Sequence, residues 1–229
     1  VRGMKPVLSL PARVPRTDSP EDGDDDDRFS DQLVEAFLEA YTRPGDLVLD
    51  PFAGFGTTLV VAERMGRRTL GLEILPERVE HIRARVSDPS TVIEADARRL
   101  ATLDLPPIDF TLTSPPYMTR TDHPENPLTG YQTLDGDYGR YLDELTVVYG
   151  AIGQLLTPGA KAVINVSNLR TGGTVSPLAW DVGAAVSRVL RFEQEIILDW
   201  DDPEDWYTND YCLVFSSFDD ESTGAAGRA

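Results

Sequence analysis

The sequence predicts an α/β fold with a doubly wound, mostly parallel sheet of seven strands. Short apolar or β-branched runs alternate with amphipathic helical stretches from residue 30 onward, the pattern of strands joined by crossover helices. Polar residues with ligand chemistry, Asp50, Glu73, Asp96 and Ser114, close successive strand runs, where ligands of such sheets gather. The length of 229 residues suits one α/β domain and is too short for two.

Val1 to Arg28 is rich in Pro, Asp and Ser, and reads as a loosely ordered acidic arm over 1–28. The domain is expected over 29–218, with a flexible tail at 219–229. Ser30 is placed to cap a helix whose Leu33, Val34, Phe37, Leu38 and Tyr41 share one face and which Pro44-Gly45 stops. Leu47 to Asp50 is a buried strand, Thr57 to Met65 a helix closed by Gly66, and Thr69 to Glu73 the second strand. Pro76 opens a helix running to Val86. Thr91 to Glu94 and Asp109 to Thr113 are β-branched or apolar strands. A loop over 118–137 precedes a helix from Tyr138 to Leu156, ended by Pro158-Gly159. Ala162 to Val166 is a strand, Leu178 to Leu190 a helix, and Glu193 to Trp200 and Tyr211 to Ser217 a final strand pair joined by an acidic loop.

The net charge of -18 opposes a polyanionic partner, because phosphate binding draws on Lys and Arg. Its distribution softens that objection. Glu21 to Asp27, Asp199 to Asp205 and Asp219 to Glu221 hold 14 of the 39 acids, so elsewhere 25 acids face 21 bases. The single cysteine, Cys212, excludes an internal disulfide and a zinc cluster, and its apolar neighbours mark it as a small core residue. No run approaches the ~18 apolar residues of a membrane span. A cytoplasmic protein without a bound metal is expected.

Asp50-Pro51-Phe52-Ala53-Gly54-Phe55-Gly56-Thr57-Thr58 joins a strand to a helix through Gly-x-Gly, a turn that lets a ligand approach the backbone closely. Leu59 replaces the third glycine of a dinucleotide turn, and the Asp50 carboxylate would repel a pyrophosphate while welcoming an ammonium or sulfonium. Glu73, 23 residues later, is placed to accept the hydroxyl protons of a ribose, and Asp96 a proton of an adenine amino group. Phe29 and Ser30 either close over the far end of such a ligand or serve as a helix cap.

Thr113-Ser114-Pro115-Pro116-Tyr117 follows the fourth strand. The Ser114 hydroxyl and the Pro115 carbonyl can accept both hydrogens of a ring amine, localising its lone pair for alkylation. Pro115 and Pro116 stiffen the loop, and Tyr117 offers a ring for stacking.

Asp-Pro-Phe-x-Gly-x-Gly-Thr-Thr followed by Ser-Pro-Pro-Tyr resembles the amino-methylating DNA methyltransferases, over roughly Phe29 to Leu169. The resemblance implies a Rossmann-like methyltransferase fold that binds S-adenosylmethionine through Asp50, Phe52, Gly54, Gly56, Glu73 and Asp96, with Phe29, Ser30, Pro51, Thr57, Thr58, Ile74 and Ala97 beside them. It implies an acceptor site at Ser114, Pro115, Pro116 and Tyr117, and DNA as substrate. Serine at the first acceptor position resembles the cytosine-N4 branch, with adenine N6 the other choice. RNA or a small heteroaromatic amine is the alternative substrate.

Members of that family carry a sizeable target-recognition region, whereas Met118 to Asp137 is only 20 residues. That loop is either a substrate contact, through Arg120, Asn126 and Tyr131, or a flexible lid; His123 reads as an exposed loop residue and His81 as a helix-surface one. A target-recognition partner subunit or a homodimer would supply what is missing. Arg64, Arg67 and Arg68 form a basic cluster that either meets phosphate or ends a helix in solvent, and Trp200 and Trp206 are expected to fill a core edge.

Overall fold

A computed structural model describes residues 4–11, 30–120, 124–203 and 205–218. Helix α1 (Asp31–Tyr41) starts at Ser30, whose hydroxyl accepts the Leu33 N–H, and buries Leu33, Val34, Phe37 and Leu38. Strand β2 (Leu47–Asp50), helix α2 (Thr57–Arg64), β3 (Arg68–Glu73), α3 (Pro76–Arg83), β4 (Val92–Glu94) and β5 (Ile108–Thr113) follow. Then come α4 (Tyr138–Leu155), β6 (Leu156–Thr171), β7 (Thr174–Ser176), α5 (Leu178–Val186), β8 (Arg191–Trp200) and β9 (Tyr207–Ser216).

The doubly wound, mostly parallel sheet is present, with two strands added to the seven expected. Its order is β1-β8-β9-β6-β5-β2-β3-β4, with β7 paired to β6. Strand β1 (Val7–Leu10) lies inside the stretch read as a loose arm. It pairs in parallel with β8, Val7 opposite Ile197, and buries Leu10 against the α1 side of the sheet. Four residues between prolines carry too short a pattern to separate from a loop. Strand β7 returns on β6 through Gly172-Gly173, both at positive φ. Strand β6 also starts earlier than expected, because Pro158-Gly159 ends α4 and then forms a bulge within the strand, with Gly159 at φ +85°. Helices α3 and α5 stop short of Val86 and Leu190, whose residues continue as turns.

Two apolar layers sandwich the sheet. Tyr141, Leu145, Tyr149 and Ile152 of α4 and Leu178 and Val182 of α5 cover one face, and Phe37 and Leu38 of α1 with Val61 of α2 cover the other. Cys212 is buried and reduced, as its neighbours predicted. The Arg64, Arg67 and Arg68 cluster serves packing. Arg64 pairs with Asp31 and Glu35, Arg67 donates to Thr42, Met65 and Leu38, and Arg68 donates to the Gly45 carbonyl. No helix among the described residues is long and apolar enough to cross a membrane.

The order reverses at β2, flanked by β3 on one side and β5 on the other. The chain leaves β2 and β5 in opposite directions, so a crevice opens between their carboxyl ends. Its floor requires close packing of α2 on β3. Gly71, opposite Asp50 in the ladder, has no room for a side chain, since a Cβ there would stand 2.4 Å from Leu59 Cδ1. Gly71→Ala should therefore destabilise the fold by ~1–3 kcal/mol. Urea denaturation at pH 7.5 measures it, and an unchanged midpoint would contradict this packing.

Candidate functional site

A cavity of about 390 Å³ opens at that crevice. Ser30, Asp50, Pro51, Phe52, Gly54, Thr57, Glu73, Ile74 and Ala97 line it, and so do Ser114, Pro115, Pro116 and Tyr117. The two motifs read separately in the sequence thus share one space. Phe29 falls outside the described residues.

Asp50 is 2% exposed and Glu73 6%. Asp50 Oδ1 accepts the Phe52 N–H at 3.1 Å. Burial pushes its carboxyl up to about 6, against the pull of the Thr113 and Thr58 hydroxyls and the Phe52 N–H, and Glu73 adds repulsion. Glu73 takes three backbone N–H groups, from Gly54 at 2.8 Å on one oxygen and from Ile74 and Leu75 at 2.9 Å on the other. Burial raises its carboxyl too, opposed by the Leu75 N–H and by the charge of Arg78. No Lys, Arg or His among the described residues forms an ion pair with either acid. A buried carboxylate such as Asp50 without a cationic neighbour is costly, and marks a site built for a ligand that supplies positive charge; Glu73, which feels the Arg78 charge, is placed to accept hydroxyl protons.

The glycines of the turn do different work. Gly54, at φ +55°, brings its N–H to Glu73. Gly56, at φ +80°, does not line the cavity; a Cβ there would stand 2.8 Å from Ile82 Cγ2, so its role is to seat the turn on α3. Thr58 is also below the surface, beside Asp50. Phe55 is braced by α3, with the Arg78 guanidinium 4.7 Å from its ring centre, His81 edge-on at 5.8 Å, and Arg85 donating to its carbonyl at 2.7 Å. His81 is therefore part of this brace, not a bare surface residue.

Asp96 departs from its expected place. Its carboxylate caps the 3-10 turn of Ala97–Thr102 and grips Arg98 at 2.6 Å, and Arg98 also pairs with Glu144 of α4 at 3.0 Å. Only its neighbours Ala95 and Ala97 reach the cavity.

The acceptor loop is held from several sides. The buried Tyr141 donates to the Pro116 carbonyl at 3.0 Å, and Tyr131 to the Tyr117 carbonyl at 3.4 Å. Ser114 Oγ donates to the Tyr117 hydroxyl at 3.2 Å, which leaves its lone pairs toward the cavity. The Pro115 carbonyl accepts no hydrogen bond from a described residue.

The loop after the motif is partly a fixed wall. Pro127, Leu128, Gly130 and Tyr131 line the cavity, and Gly130 packs so closely on Leu75 that a Cβ would stand 2.8 Å from it. Asn126 caps the short turn Pro127–Thr129 and donates to Glu144, a structural role. Arg120 is taken by a two-pronged pair with Asp181 of α5, at 2.7 and 2.9 Å, so it braces the loop. His123 lies outside the described residues. Trp200 and Trp206, expected at a core edge, both line the cavity, and the Trp206 ring is tilted 6.3 Å from Tyr117. Asn165 of β6 lines it as well, a residue that no local motif could single out because its place depends on strand pairing.

Residues 16–84 match the model of a DNA methylase family. It is 46% identical to the type II methyltransferase M2.DpnII of Streptococcus pneumoniae over 54 residues, 24% of this chain and 20% of that protein. Its matches span a fifth or less of the length of such curated relatives. In fold it is similar to TrmN from Thermus thermophilus, with a TM-score of 0.58 and 18% identity over 82% of this chain and 49% of that one. A TehB-like SAM-dependent methyltransferase from Corynebacterium glutamicum gives 0.52 and 15% identity, over 82% and 86%. The Rossmann-like fold is thus one shared with methyltransferases.

A buried acid whose pKa is raised from 3.8 to about 6 binds its proton more tightly folded than unfolded, so its burden appears as pH rises through that interval. At pH 7.5 the ionised Asp50 costs the ligand-free fold at most about 3 kcal/mol. Asp50→Asn should raise the urea midpoint of the ligand-free protein at pH 7.5 and leave it nearly unchanged at pH 4; a lowered midpoint at pH 7.5 would show that the charge is compensated.

Proposed function

We propose that this chain is an S-adenosylmethionine-dependent methyltransferase acting on an exocyclic amino group of a base in DNA, cytosine N4 in preference to adenine N6. The observation that carries the reading is the opening of Ser114-Pro115-Pro116-Tyr117 into the same cavity as the buried Asp50 and Glu73. The methyltransferase domain of this reading is 29–218.

The residues fit the donor. Asp50 supplies the negative charge that a cationic ligand needs, and Glu73 the paired oxygens for ribose hydroxyls. Ile74, Ala97 and Leu128 offer apolar walls for a purine. S-adenosylmethionine supplies a methyl group on a positively charged sulfur. Ser114 Oγ and the Pro115 carbonyl accept the amino hydrogens and pull the nitrogen lone pair out of conjugation. Ser114 and Pro115 would hold that nitrogen for methyl transfer, in which its new bond to the methyl carbon would replace the carbon–sulfur bond and S-adenosylhomocysteine would leave. The methylated nitrogen is then acidic and loses its proton to water, so no strong base is required. Tyr117, with Trp206 beside it, provides the face on which an extruded base stacks.

Serine at position 114 favours cytosine N4. The second reading, RNA or a small heteroaromatic amine, is favoured by the net charge of -18 and by the 20-residue loop where a recognition region would lie. A partner subunit or a second copy of the chain would supply base reading for a DNA target.

Mass spectrometry of nucleosides, from unmethylated duplex DNA and total RNA incubated with protein and donor, should find N4-methylcytosine in the DNA. Methylation confined to RNA would promote the second reading, and none in either polymer would contradict nucleic-acid methylation. Tyr117→Ala should lower turnover by roughly 10- to 100-fold through lost stacking while leaving donor affinity unchanged in calorimetry. Equal loss of both would overturn this division of the cavity. Donor affinity should also fall as pH drops below about 6, where Asp50 takes up a proton.

A further inference from the structure

Asn165 carries chemistry that neither motif uses. Strand β6 runs parallel to β5 with Thr113 opposite Ile164, so Asn165 stands level with Ser114 on the neighbouring strand end. Alternation along the strands puts Val163 and Leu112 on the α1 side of the sheet, and the side chains of Asn165 and Ser114, two residues on, face the same way. Asn165 is 6% exposed and lines the cavity.

Its amide cannot turn. Nδ2 donates to Asp210 Oδ1 at 2.8 Å and to the Tyr211 carbonyl at 3.0 Å, which uses both hydrogens. The reversed amide would set an oxygen against a carboxylate and a carbonyl, neither of which can donate. Asp210, 1% exposed, is held in turn by Ser167 Oγ at 2.9 Å and Trp200 Nε1 at 3.0 Å. The buried Cys212 thiol, opposite Asn165 in the ladder, is a further partner of the amide. A thiol is a weak hydrogen-bonding group, so an Oδ1 lone pair stays open to an N–H brought by a ligand.

We propose that Asn165 is a further acceptor for the exocyclic amine, with Asp210 the positioning residue that locks its oxygen toward the cavity. This rests on the function proposed above and deepens it. Asn165 takes one amino hydrogen and the Ser114-Pro115 pair takes the other. Ser114 has committed its own proton to Tyr117, so Ser114 Oγ and Asn165 Oδ1 both present lone pairs. A ring with an amino group fits between them; a keto oxygen placed there finds no donor at either atom. The discrimination is therefore between cytosine or adenine and their deaminated counterparts.

The test is transfer of radiolabelled methyl from S-adenosylmethionine to whichever polymer or amine the wild type modifies, with donor affinity measured in parallel by calorimetry. Asn165→Leu, of similar size and without an acceptor, should lower kcat about tenfold or more and leave donor Kd within about twofold. Asp210→Asn, which frees the Asn165 amide to turn, should lower kcat in the same way with donor Kd unchanged. If Asn165→Leu does not fold, Asn165→Ser, whose hydroxyl is too short to reach, is read by the same threshold. A variant of Asn165 that folds, binds donor and turns over within twofold of wild type overturns the proposal while leaving the methyltransferase reading intact. A wild type that methylates none of the acceptors overturns both.

Discussion

A carboxylate that is 2% exposed and has no cationic partner among the described residues is the constraint around which this molecule is arranged. Asp50 ends the strand at which the sheet order reverses, and its surroundings supply dipoles in place of a cation: the Phe52 N–H by a hydrogen bond, and the Thr58 and Thr113 hydroxyls from close by. Dipoles soften the cost of burial without cancelling it. The remaining demand for positive charge points into the cavity. A pyrophosphate fits such a place poorly, whereas the proposed cationic donor with its ribose fits it.

The proposed function adds a second constraint, that donor and acceptor meet, and the sheet supplies it. Asp50 ends β2, Ser114 follows β5 and Asn165 lies level with it within β6, so their spacing follows from the width of the ladder. Around them the loops are braced by distant groups: Tyr141 on the Pro116 carbonyl, Arg120 on Asp181, and the Arg98-Glu144-Asn126 chain that ties the far end of the donor site to the wall opposite. The geometry is held by packing and charge pairs in the layer beneath the cavity, which suits a reaction that depends on aligning one lone pair.

Much of this was legible in the sequence because it is local. A strand, a Gly-x-Gly turn and a helix are contiguous, and so is the stiff Ser-Pro-Pro-Tyr loop, so Asp50, Glu73, Ser114 and Tyr117 fell where the pattern put them. What was not legible is non-local. Asn165 and Trp200 acquire meaning only through the pairing of β6, β8 and β9 around Asp210, and nothing in their immediate neighbours announces it. Asp96 shows the reverse error: its position at a strand end fits a ligand contact, but Arg98, two residues on, captures the carboxylate first. Strand β1 was hidden by brevity, and needs the edge of β8 to exist.

The proposed selectivity of the two buried acids is for a cationic nucleoside donor over a phosphorylated one. Isothermal titration calorimetry of the ligand-free protein with S-adenosylmethionine, and separately with ADP, tests it most directly. Saturable binding of S-adenosylmethionine at pH 7.5 and none of ADP is the expected result. Binding of ADP with equal or greater affinity would contradict it.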